Sequence, residues 1–186
     1  MVPCAAARLL DARFPQDVVG PTFRAELLFE LRGCSVRAAT DRLVRLVDRR
    51  DYSCREVLDK LRLDGYTTEV SEEVISKARE GHVLDDVRFA DVFIRTKVSS
   101  GWGTMRIERE LSRRGIDPSD VGGWPDAYLE PEGELDRALS LIESRRIPDR
   151  NPYQKYVRFL ATRGFPLSVA KAAASRRLDE AMQDQD

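Results

Sequence analysis

The chain has 186 residues, 42% apolar and 34% charged, with a formal net charge of −1. This size and balance fit one ordinary domain or several small modules sharing a core, and they exclude a disordered polypeptide or a strongly basic nucleic-acid binder. Any polyanion contact must come from local segregation of charge. The three cysteines, Cys4, Cys34 and Cys54, are odd in number and widely spaced. With the single His82 they supply neither a disulfide framework nor a zinc-ligand set. No metal and no cofactor are expected. Residues 1–10 are interrupted by Arg8 and make a poor secretory signal, and no apolar run approaches the roughly 20 residues of a membrane span. The expected setting is a reduced cytoplasm, without membrane contact, for a monomeric protein.

Residues 1–37 stand apart as an N-terminal extension, in which Leu27, Leu28 and Leu31 predict a short helix packed on the first of three modules. A repeat then begins. Three stretches align on the anchors Leu61, Leu111 and Leu160, at offsets of 50 and 49 residues. Each has an apolar residue four positions before the anchor (Val57, Ile107, Tyr156). Each has a glycine four positions after it (Gly65, Gly115, Gly164), followed by Tyr66, Ile116 or Phe165. Residues i and i+4 share a helix face, so these pairs point into a core, and the glycine sits where a left-handed cap ends the helix.

Taken in order, the first module (38–84) predicts a helix near 39–49 carrying Leu43, Leu46 and Val47. A second opens on a Ser53/Glu56 capping box, and a third carries Val70, Val74, Ile75 and Ala78. His82 reads as a solvated turn residue. The second module (85–130) predicts a helix over 86–98 with Phe89 and Phe93 in the core. Asp85 and Asp86 read as N-capping groups at the positive end of the helix rather than an acid–base pair. Gly101-Trp102-Gly103 reads as a tight interhelical turn: it follows a helix and lacks the Lys-Ser/Thr of a phosphate loop. After Ile107 and Leu111, Asp117-Pro118 marks a short third helix around 121–129. The third module (131–180) predicts a helix over 135–145, a second opened by Asn151-Pro152, and a third over 169–178. Residues 181–186 read as a polar tail. The fold class is therefore all-α: three tandem three-helix repeats of about 50 residues, stacked into an elongated, curved array because one such unit is marginal alone.

Charge is segregated along this array. Arg95, Lys97, Arg106, Arg109, Arg113 and Arg114 face only Glu108 and Glu110 in sequence, and Arg106, Arg109 and Arg113 fall at i, i+3 and i+7, one stripe of a helix. The third module adds Lys155, Arg158 and Arg163. Between them residues 117–136 hold seven acids and no base, and 122–133, with Pro125 and Pro131, predicts a hinge. On a surface helix a base such as Arg106 commonly pairs with an acid at i+4, here Glu110.

Asp86-Val87-Arg88-Phe89-Ala90, Phe93-Ile94-Arg95, Lys97, Gly101-Trp102-Gly103, Arg106-Ile107, Glu110-Leu111 and Arg114-Gly115-Ile116 resemble the central signature of the RecX family. Tyr52-Ser53, Arg55-Glu56, Leu58, Lys60-Leu61 and Gly65-Tyr66 look like its first repeat. The resemblance covers residues 38–116 well and the third repeat more loosely. It implies a non-enzymatic regulator that binds RecA and the RecA–single-stranded DNA filament and modulates strand exchange, ATP hydrolysis and repressor cleavage, with inhibition the favoured direction. Weak direct DNA contact accompanies that role. The partner-facing residues expected are Arg88, Arg95, Lys97, Trp102, Arg106, Arg109, Arg113, Arg114, Lys155, Arg158 and Arg163, with Arg88 also able to pair with a nearby acid. The alternative is a helical DNA-binding module acting without RecA, against which the low net charge and the lack of a base-reading set argue. A catalytic role has no nucleophile–base pair, metal set or nucleotide loop behind it.

Overall fold

Three helix ends are built the same way. Helices α3 (Cys54–Leu63), α6 (Thr104–Arg113) and α8 (Pro152–Arg163) each run into a glycine with positive φ: 89° at Gly65, 76° at Gly115 and 91° at Gly164. The next backbone N–H, of Tyr66, Ile116 or Phe165, donates at 3.1 Å to the carbonyl of the anchor Leu61, Leu111 or Leu160. The glycine N–H donates to the carbonyl one residue further on. This pair of bonds satisfies carbonyls that a helix end leaves open, and it turns the following side chain inward. Tyr66, Ile116 and Phe165 are all buried, and the three anchors are 0% exposed. Each anchor stabilises the fold by roughly 1.5–3 kcal/mol through burial alone.

The computed structural model describes residues 2–15, 20–129 and 133–183, all of whose regular elements are helical. It falls into two compact units, Met1–Phe89 and Ala90–Asp186. In the first, α1 (Cys4–Arg13), α2 (Arg24–Val47), α3 and α4 (Thr68–Glu80) enclose Ala6, Ala38, Ala39, Leu43, Val57, Leu61, Val70 and Val74. The short helix expected at Leu27 to Leu31 is instead the first part of α2, one continuous helix of 24 residues. Leu27 and Leu28 are exposed, and α2 packs through Cys34, Ser35, Ala38, Ala39, Leu43 and Leu46. Gly33 lies inside this helix, where glycine costs about 1 kcal/mol relative to alanine; tertiary packing overrides that local penalty. Ser53 and Glu56 form the expected capping box. His82 takes φ 53° at the end of α4 and is exposed, a left-handed cap without glycine.

In the second unit, α7 (Gly133–Glu143), α8 and α9 (Leu167–Gln183) enclose Leu139, Ile142, Tyr156, Leu160, Phe165, Ala170, Ala173 and Ala174. Ala90 and Ile94 of α5 (Asp86–Ser99), with Ile107 and Leu111, are also buried. Two expectations are corrected here. The third helix of the middle module is not an α-helix. A 3-10 turn, Pro118–Asp120, capped by Asp117, leads into hydrogen-bonded turns through Leu129, because Gly122, Gly123 and Pro125 withhold a helical ladder. At α8, Pro152 takes the first helical position, but Asn151 is itself left-handed (φ 49°) and its side chain makes no capping bond. Of the predicted hinge, 122–129 is tied by these turns, while Glu130, Pro131 and Glu132 lie outside the described residues, as do residues 184–186 of the predicted tail.

An interlock recurs along the chain. The first amide of α3, on Cys54, donates to Asp86 at the start of α5 at 2.8 Å. The first amide and the hydroxyl of Thr104, at the start of α6, both donate to Glu134 at the start of α7 at 2.8 Å. A carboxylate from the next repeat thus satisfies an open N–H at the positive end of the preceding repeat's second helix.

Candidate functional site

The surface of α5 and α6 is built on two aromatic rings. Phe93 and Trp102 meet edge to face, with centroids 6.3 Å apart at 89°. Around them the cations gather. Arg106 lies over Trp102 at 3.8 Å, Lys97 lies over both rings at 5.0 and 5.4 Å, and Arg114 lies over Phe93 at 4.8 Å. Each such contact contributes roughly 0.5–2 kcal/mol depending on desolvation. Phe93 is therefore half-buried beneath cations rather than sealed in the core. Trp102 is likewise half-buried, with Phe93 perpendicular to it and cations over its ring.

The turn beneath Trp102 is fixed from two sides. Arg137 donates to the carbonyls of Val98 and Trp102 at the C-terminal end of α5, where a cation is favoured. Gly103 lies against the end of α8: its N–H donates to the Arg163 carbonyl at 3.0 Å, and a Cβ there would collide with the Gly164–Phe165 backbone. The second glycine of Gly101-Trp102-Gly103 thus serves a close backbone approach.

Acids separate the predicted contact residues into two groups. Arg113 and Arg114 both reach Glu110, with Arg113 at 2.6 Å. Burial raises the Glu110 carboxyl, but the two guanidiniums outweigh it and hold it below its ordinary value. Arg95 pairs with Asp91 at 3.1 Å and lies over Tyr128; its hydrogen bond to Asp91 is the main reason that carboxyl is lowered. Arg88 stands 3.8 Å from Asp51. Among the described residues, Lys97, Arg106, Arg109, Lys155, Arg158 and Arg163 have no carboxylate partner, and Arg163 instead donates to the Ser100 carbonyl at 3.2 Å. The expected Arg106/Arg109/Arg113 stripe is thus broken at Arg113. The anticipated Arg106/Glu110 pair gives way to Arg106 on Trp102. Asp85 caps α5 by accepting from the Val87 and Arg88 amides at 3.0 Å, the non-catalytic role expected.

Two features were not anticipated from the sequence. Tyr128 and Trp124 bind the turn segment to α5 and α6, Trp124 through an Nε1–H bond to Glu108 at 3.1 Å. In the third module Arg145 and Arg163 both lie over Phe159, at 4.0 and 5.4 Å, on the helix that carries exposed Lys155 and Arg158. For the Phe93/Trp102 cluster the signal was present: Phe93/Lys97 and Trp102/Arg106 each stand four residues apart.

The helical repeats define a class of tandem three-helix-module proteins. Residues 39–77 match the family profile of the RecX first three-helix domain, and residues 85–122 that of the second. Regulatory protein RecX of Halorhodospira halophila (strain DSM 244 / SL1) is 34% identical over 150 residues, which is 77% of this chain and 90% of the relative. That of Legionella pneumophila is 33% identical over 135 residues, 70% and 89% of the two chains. The crystal structure of RecX from Lactobacillus salivarius superposes with a TM-score of 0.63 at 20% identity, covering 77% of this chain and 96% of that one. A second crystal structure, of a regulatory protein RecX, gives 0.65 at 21% identity over 90% and 85%. The chain belongs to the RecX family of regulatory proteins.

Proposed function

We propose that this protein is a non-enzymatic cytoplasmic regulator that binds RecA and the RecA–single-stranded DNA filament as a monomer. It inhibits recombinase, ATPase and coprotease activity in recombinational repair and the SOS response. Its working parts are three repeats over 38–84, 85–130 and 131–180. The contact residues are those of the middle repeat, with Lys155, Arg158 and Arg163 as a second set. Family membership supports the partner. The observation that carries the site is the group Lys97, Arg106 and Arg109, three cations without a carboxylate partner among the described residues, on the module that matches the second family domain. In a nucleoprotein filament such groups gain an anionic partner without first breaking an ion pair.

The test is RecA ATP hydrolysis on single-stranded DNA with this protein present well below the RecA concentration. A clear fall in rate, lost when Arg106, Arg109 and Arg113 are changed to Glu, is the expected result. A fall that survives those changes moves the site to the third module. No effect on RecA, with tight binding to bare duplex DNA, would replace this reading with a DNA-binding module acting independently.

A further inference from the structure

Gly33 stands in the middle of α2 without a structural reason of its own. Its φ is not positive, and a Cβ added there meets nothing within 4 Å. At Gly103, by contrast, the same Cβ would strike the Gly164–Phe165 backbone. Glycine is the least favoured helix residue after proline, so neither backbone conformation nor internal packing accounts for its presence in α2. The space above it is a groove of about 480 Å³ between α1 and α2. Leu9, Ala12 and Arg13 line it on one side, and Gly33, Cys34 and Arg37 on the other. That volume is in the range of a small-ligand site.

The lining is of two kinds. Leu9, Ala12, Gly33 and the buried Cys34 make an apolar floor, since a reduced cysteine packs as a small hydrophobe. Arg13 and Arg37 supply the charge. Arg13 is shared with Glu30 at 3.0 Å, whereas the exposed Arg37 has no carboxylate partner among the described residues. One guanidinium with open donors beside an apolar floor complements a molecule with an apolar body and one acidic group. The groove also limits the size of that molecule. From Gly33 to Arg37, and from Leu9 to Arg13, it is about one helical turn long, roughly 6 Å. A partner helix anchored at i, i+4 and i+7 needs about 10 Å. From these observations we infer that the groove is a binding site for a small monocarboxylate with an apolar body. The body lies over Gly33 and the carboxylate is held by Arg37. Glycine lets the ligand rest against the α2 backbone, where a methyl group would hold it off. The site lies ahead of residues 39–77, which match the first family domain, and is independent of the RecA reading.

The test titrates sodium decanoate, below its micellar range, into the full chain by calorimetry. A second readout is the alkylation rate of Cys34, followed by mass in a C4S/C54S background that leaves it as the single thiol. Decanoate is expected to bind, and at ten times its Kd to slow Cys34 alkylation about tenfold. Decanol, with the same body and no charge, binds about tenfold more weakly. R37Q lowers decanoate affinity about fivefold, while R45Q, an equal loss of charge at an exposed position of α2, leaves it unchanged. G33L fills the floor: it raises the unfolding midpoint by about 2–4 °C yet lowers decanoate affinity about tenfold or more, which separates loss of the site from loss of the fold. Equal affinity for decanol, equal losses in R37Q and R45Q, parental affinity in G33L, unprotected Cys34, or no binding at all would each overturn the inference. A concentration-dependent dimer that G33L abolishes would give the groove to a second copy, and displacement of decanoate by an acidic amphipathic peptide at lower concentration than by octanoate would give it to a protein partner. Either result also overturns the inference.

Discussion

Helices α3 and α6 hold the same place in successive repeats and share a skeleton, but their polar faces are opposed. Both bury an i, i+4 pair, Val57/Leu61 and Ile107/Leu111, and both end in the same left-handed glycine cap. On α3 the acids are taken up within the repeat: Arg55 pairs with Asp59 at 3.2 Å, and Glu56 holds Arg50, while Lys60 lies over Tyr52 and Arg62 donates to Thr68. On α6 the positions of Glu56 and Asp59 carry Arg106 and Arg109. Packing is thus repeated while charge is inverted at these two positions. A core can be copied by apolar period alone, since burial is non-directional; a surface is specific to whichever charges remain without internal partners.

The largest effect should come from the shared skeleton. Leu61→Ala and Leu111→Ala each remove a side chain that is 0% exposed, and each should cost about 2–5 kcal/mol in chemical denaturation. A large cost at only one anchor would break the equivalence of the two repeats. The glycine caps then sharpen the comparison. At Gly65 an added Cβ meets nothing within 4 Å, so Gly65→Ala should cost only the left-handed strain, about 1–2 kcal/mol. At Gly164 the same Cβ would collide with Arg106, so Gly164→Ala should cost about 3–4 kcal/mol, strain and overpacking together. Similar midpoint shifts for the two variants would remove the close approach of α8 to α6.

The smallest effect concerns acid. Glu110 has its carboxyl held below the ordinary value when folded, so the unfolded state binds its proton more readily. Its stabilisation is complete above the unfolded carboxylate range and is lost as pH falls through the lowered folded value. Glu110→Gln should therefore flatten the decline of stability below about pH 4.5 while leaving the pH 7–8 slope unchanged. A variant that declines with acid as steeply as the parent would show that Arg113 and Arg114 do not hold that charge.

Much of the skeleton was legible because it obeys short-range rules. Leu61, Leu111 and Leu160 with their glycines announce three helix ends, and Ser53/Glu56 and Asp85 announce two starts. The N-terminal half of α2 was not legible: Phe23 offers no capping side chain, Gly33 interrupts the pattern, and the exposed Leu27 and Leu28 look like a packed face. On the surface, helix spacing puts Arg106, Arg109 and Arg113 on one stripe, of which Arg113 is taken up by Glu110. Which of them an acid would claim depended on side-chain choices between neighbours: Glu110 could serve Arg106 four residues back or Arg113 three residues on, and the nearness of Trp102 to Arg106 decided it. Tyr128 over Arg95 belonged to a segment expected to be a helix, so its contact could not be foreseen.

The most direct test removes equal charge from the two opposed faces. R106Q/R109Q in α6 and R55Q/R62Q in α3 each delete two arginines, and binding of each variant to a preformed RecA–single-stranded DNA filament is measured at physiological salt. The first pair is predicted to lose about tenfold or more in affinity and the second to stay within about twofold, because Arg106 and Arg109 have no carboxylate partner among the described residues, whereas Arg55 is held by Asp59 and Arg62 donates to Thr68. Equal losses from both pairs would mean that the filament senses overall charge, and would contradict the assignment of the partner-facing edge to the middle repeat.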